Sequence, residues 1–81
     1  MLRITRDLQH SLRLEGRLTR HEVALLREEL RSSANPVAAV DLTSLAFVDE
    51  AGAAALVDLR RRGLEVRGGS AFVRQLLEEV V

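Results

Sequence analysis

Side-chain catalysis needs a nucleophile beside a base, a matched pair of carboxylates, or metal ligands that converge on one point. The two histidines, His10 and His21, fall on different expected elements, and the chain contains no cysteine. Neither histidine can be paired with a serine or an aspartate from the sequence, and neither a disulfide nor a metal staple is available. Gly68-Gly69-Ser70 stands before a helical pattern and could offer backbone N–H groups to an anion, but it lacks the lysine and the spacing of a phosphate-binding loop. Arg60, Arg61 and Arg62 could meet an acidic partner, yet their place in the last turn of a helix already accounts for them through the helix dipole. The expectation is therefore a binding protein, with no catalytic residue, metal or cofactor.

Composition narrows the partner. Twelve basic and twelve acidic residues cancel, so no overall field draws the chain to nucleic acid or to an anionic membrane. Only Phe47 and Phe72 could stack on a base, and both sit within apolar patterns, which argues against a single-strand or RNA platform. No apolar run approaches a membrane span, and Met1 to Thr5 lack the apolar stretch of a signal peptide, so a cytoplasmic location without membrane insertion is expected. Eighty-one residues, 47% of them apolar, suffice for one domain, 1–81, with one core. With no disulfide to staple it, tight packing or self-association, for example as a homodimer, must stabilise so small a fold.

The elements follow from periodicity and stop signals. Leu2 and Ile4, then Leu12 and Leu14, alternate with polar residues as two half-buried strands, joined by the polar link Asp7 to His10 as a hairpin and ended at Gly16. Thr19 and Glu22 form a capping box that opens a helix near Arg20, with Val23, Leu26, Leu30 and Ala34 in one stripe, Leu25 off it, and Asn35-Pro36 as the stop. Val37 to Val40 reads as a buried central strand, Thr43 to Val48 as a loop, and Asp49 as the N-cap of a second helix over Glu50 to Arg62, ended by Gly63. Leu64 to Arg67 is a fourth strand, and Ser70 caps a third helix carrying Val73, Leu76, Leu77 and Val80 on one face. The fold class is thus α/β, a small four-stranded mixed sheet in the order ββαβαβα. Three short helices can cover one face of it, leaving Arg3, Thr5, Arg13, Glu15, Glu65 and Arg67 on the other.

At about 100° per residue, Gly52, Ala55, Leu56 and Leu59 of the second helix face the sheet, which leaves Glu50, Ala53, Ala54, Val57 and Arg61 pointing away. Three of those five are small and apolar. They are either plain helix formers or a flat surface that another protein can approach closely.

The stretch from Val40 to Leu59 carries a further signal. Asp41-Leu42 at a strand end, Phe47-Val48-Asp49, Gly52 in a first helical turn, and downstream Gly69-Ser70-Ala71-Phe72-Val73 resemble, in order and spacing, the signature of STAS domains of the anti-sigma factor antagonist type. The resemblance runs from Leu12 to Leu77. It implies a non-enzymatic module that binds an anti-sigma factor, itself a serine kinase, through the outward face of the second helix and the loop before it. The implied docking set is Asp49, Glu50, Ala51, Ala53, Ala54, Val57 and Arg61. The family's phosphoacceptor stands just before the glycine, which is Ala51 here, preceded by Glu50; the nearest remaining hydroxyls are Thr43 and Ser44. Glu50 is either a favourable acid at a helix start or a fixed charge where the family adds a removable one. Two other roles fit the same fold: a subunit docked on a transporter ATPase or in a signalling assembly, and a module for a small molecule or lipid.

Overall fold

The computed structural model describes residues 1–7, 10–31 and 37–79. Two strands, β1 (Leu2–Arg6) and β2 (Ser11–Leu18), pair antiparallel, with Arg3 opposite Glu15 and Thr5 opposite Arg13 on the exposed face. A helix α1 (Arg20–Arg31) leads to β3 (Ala39–Asp41), which lies parallel to the first half of β2, with Leu12 opposite Val40. A short β4 (Leu45–Val48) then runs parallel to the second half of β2. Helix α2 (Glu50–Arg61), strand β5 (Glu65–Arg67) and helix α3 (Ala71–Glu79) complete the chain, with β5 parallel to β3. The expected α/β class with a mixed sheet and three helices is present. Among the described residues one strand is added to the expected order, because residues 45–48, read as loop, extend the sheet.

Leu12, Leu14, Val40 and Leu42 from the sheet meet Leu26, Leu56 and Val73 from the helices in one core, all essentially inaccessible to solvent. Each fully buried Leu or Val contributes about 1.5–3 kcal/mol relative to exposure. On the other face Arg3, Thr5, Arg13, Glu65 and Arg67 are exposed and Glu15 half-buried, as the alternation requires. Leu25 lies off the α1 stripe and is 52% exposed. Gly16 does not end its strand. With φ of +93° it forms an irregularity at which β2 leaves β3 and takes up β4. A Cβ there would come within 2.4 Å of the Met1 carbonyl oxygen. The expected centre strand 37–40 is shifted to 39–41. Ala34, the stop at Asn35-Pro36, Val80 and part of the link 7–10 lie outside the described residues. Among those described, no helix is long and apolar enough to cross a membrane.

Candidate docking surface

Helix α2 begins where the capping pattern places it. Asp49 has extended backbone angles (φ −92°, ψ −177°), and its Oδ1 accepts from the Gly52 N–H at 2.8 Å. Its other oxygen, Oδ2, accepts from the Arg20 N–H at 2.9 Å, so one carboxylate caps α2 and also ties down the first residue of α1. Burial pushes this carboxyl upward, but the N–H groups of Gly52 and Arg20 and the Arg20 charge outweigh that and hold it below its ordinary value. Half of the expected capping box is made at α1: the Thr19 N–H donates to Glu22 Oε1 at 3.1 Å, while the Glu22 N–H donates to the Thr19 carbonyl at 2.8 Å rather than to its hydroxyl. The Thr19 hydroxyl also donates to Glu22, and these bonds lower the Glu22 carboxyl.

Gly52 is required by contact rather than by backbone angle. A Cβ on it would lie 2.2 Å from the Leu18 carbonyl oxygen and 2.6 Å from Val48 Cγ2. The first turn of α2 therefore rests directly on the ends of β2 and β4, and its outer side is presented to solvent at Glu50, Ala51 and Ala54.

Two members of the expected outward face are not outward. Ala53 is 0% and Val57 4% exposed, which corrects their assignment to the docking surface. The reason is that α2 packs against both α1 and α3 as well as the sheet. Ala55 and Leu59 line its junction with α1, Ala53 is wholly covered, and Val57, although it borders the depression beside α1, is nearly so. What remains exposed on α2 is Glu50, Ala51, Ala54, Arg60 and Arg61, with Asp58 half-buried.

Thr43 and Ser44 lie in the turn that closes with the Leu45 N–H on the Leu42 carbonyl at 3.0 Å. The Thr43 hydroxyl is engaged, donating to Asp41 Oδ1 at 2.6 Å, while its N–H donates to the same oxygen at 2.9 Å. These two bonds, helped by the charges of Arg13 and Arg67, lower the Asp41 carboxyl. Ser44 is exposed. His10, in the hairpin turn with φ of +60°, and His21, on α1, are both exposed and stand on separate elements. The two phenylalanines, expected within apolar patterns, are not fully buried: their rings stack on each other at 5.9 Å, Phe72 is 50% exposed, and the Arg17 guanidinium lies over Phe47 at 5.3 Å.

Sequence reasoning missed the contribution of α1. Arg20, Val23 and Arg27 line one side of a shallow depression whose other side is Ala51, Ala54, Asp58 and Arg61 of α2. The i, i+7 spacing of Arg20 and Arg27 was a signal that both lie on one edge of the Val23–Leu26 stripe.

A structure of the anti-sigma factor antagonist SpoIIAA in its unphosphorylated form is similar with a TM-score of 0.69 and 16% identity, over 96% of this chain and 82% of that one. An uncharacterised protein of the DUF3478 family with a SpoIIAA-like fold, from Shewanella loihica PV-4, aligns with a TM-score of 0.41 and 18% identity, over 89% and 69%. No curated protein matches the chain. A family model described as "Mlab, STAS domain" matches residues 3–80. With that match spanning nearly the whole chain, and the fold of an anti-sigma factor antagonist reproduced in three dimensions, this protein belongs to the STAS domain family.

Proposed function

We propose that this chain is a non-enzymatic docking module of the anti-sigma factor antagonist type, acting in the cytoplasm, whose partner is an anti-sigma factor of the serine-kinase kind. The partner meets the exposed start of α2, at Glu50, Ala51 and Ala54, and the turn of Asp49 before it. The observation that supports a docking surface is this accessible, small-residue first turn, held rigidly by the Asp49 cap and the Gly52 contact. Binding is not switched by phosphorylation at the family position, because residues 49–59 contain no Ser, Thr or Tyr.

The same absence of a hydroxyl favours a second reading, a constitutively docked subunit of a transporter ATPase, which needs no switch. Affinity capture from the native host with the intact chain and with Ala54→Arg separates the two. Recovery of a histidine-kinase-like ATPase lost in Ala54→Arg supports the first reading, and recovery of a transporter ATPase supports the second. Capture unaffected by Ala54→Arg overturns the placement of the surface. Incubation with the captured kinase should leave residues 49–59 unmodified by mass spectrometry, whereas phosphate on Thr43 or Ser44 with loss of binding would restore a switch.

A further inference from the structure

The depression between α1 and α2 is more specific than a flat docking face. Its floor is apolar, made by Val23 and Leu26 of α1 and Ala55 and Leu59 of α2, all buried or nearly so. Its rim carries more base than acid: Arg20, Arg27 and Arg31 stand along α1 and Arg61 and Arg62 along α2, with Glu28 of α1 and Asp58 of α2 as the acids among them. Two of these charges are already met, Arg62 by Asp58 at 3.1 Å and Arg31 by Glu28 at 3.8 Å, and Arg20 acts on Asp49. Arg27 and Arg61 have no carboxylate in ion-pair contact among the described residues, and both line the same depression, one from each helix. In a chain whose net charge is zero, this is a local surplus rather than a general field.

Resting on the reading that α2 is the docking element, we propose that this groove receives an amphipathic helix of the protein partner, apolar toward the floor and acidic along both flanks. Two packed helices of twelve residues each, about 18 Å long, offer a groove in which a third helix of about three turns fits by ridges into grooves. Ala51, Ala54 and Ala55 keep that wall low, so the incoming backbone can approach closely. Glu or Asp on the flanks of the incoming helix then meets Arg27 on one side and Arg61 on the other, and charge complementarity fixes its seat and speeds its encounter. A bilayer surface is too flat to reach a floor recessed between two helices.

Two 18-residue synthetic helical peptides test this, both with the same Leu/Ala stripe, one flanked by Glu and the other by Lys. Their binding to the full chain is followed by fluorescence anisotropy and by amide chemical shifts. The Glu peptide should bind at least about tenfold more tightly than the Lys peptide, lose affinity as salt is raised, and shift amides of α1 and α2. Arg27→Glu with Arg61→Glu, both exposed changes whose melting curves confirm folding, should weaken it by about tenfold or more. Equal binding of the two peptides, no binding of either, shifts confined to the Phe47–Phe72 side, or binding only to phosphatidylglycerol vesicles each overturns the proposal. If a native partner is lost in Ala54→Arg but kept by the double arginine variant, the docking role of α2 stands and the acidic-helix inference falls.

Discussion

At the level of single residues, Asp49 carries the most structure per atom, since its two oxygens serve two helices. Replacing it by Ala should cost about 0.5–2 kcal/mol through the lost α2 cap, with the freed Arg20 N–H adding to the loss; urea titration reads the difference. Its capping role was readable because an aspartate precedes an apolar-periodic segment. The Arg20 contact was not, because it joins residues 29 apart that only the tertiary fold brings together. Gly52→Ala should destabilise by about 1–3 kcal/mol or more, in spite of alanine's better helix propensity, because its methyl has no room against the Leu18 carbonyl. A Gly52→Ala chain as stable as the parent in the same titration would contradict that packing. Any gain from lower unfolded-state entropy is smaller than the clash.

Among the elements, α2 shows where periodicity succeeds and where it stops. The set expected to face inward, Gly52, Ala55, Leu56 and Leu59, is buried, because an apolar stripe repeats every three or four residues, but Ala55 and Leu59 border α1. Ala53 and Val57 were misplaced because a helix with neighbours on both sides buries a wider arc than one stripe. The consequence is a sharp contrast between two adjacent turns. Val57→Glu places an unpaired carboxylate at a site only 4% exposed and should lower stability by several kcal/mol or prevent folding. Ala54→Arg, on the exposed side, should stay within about 0.5 kcal/mol of the parent. Thermal melts of the two variants decide this, and similar melting temperatures would show that the buried arc is misassigned. Strand β4 escaped sequence reading for a different reason: Leu45-Ala46-Phe47-Val48 is four residues without alternation, and its strand partner among the described residues is a segment of β2 about thirty residues earlier.

Over the whole molecule, Glu22, Asp41 and Asp49 are all held below their ordinary values by hydrogen bonds that the unfolded chain lacks. In each case the unfolded chain takes up a proton more readily than the folded one. The stabilisation is therefore complete above the unfolded values and is lost as pH falls through the lower folded ones. The melting temperature should be level near neutrality and fall on acidification below about pH 4, and Asp49→Asn should flatten part of that fall. A melting temperature that rose in acid would reverse the assignment. Class, helix number and the two-sided character of the sheet were open to sequence reasoning because they rest on local patterns. Which strand lies beside which was not, since parallel pairing is decided by distant segments.

Strand β2 pairs with β1 through residues 12–16, with β3 through residues 11–13 and with β4 through residues 16–18. During synthesis it is made before α1, yet two of its three neighbours among the described residues follow only after α1. A chain ending before residue 45 holds the hairpin, one helix and β3, with the second half of the β2 edge unfilled, and loop closure over the intervening residues must precede any parallel pairing. Folding should therefore be late and abrupt rather than stepwise. On stalled ribosomes, resistance to protease should appear only once β4 and α2 are clear of the exit tunnel.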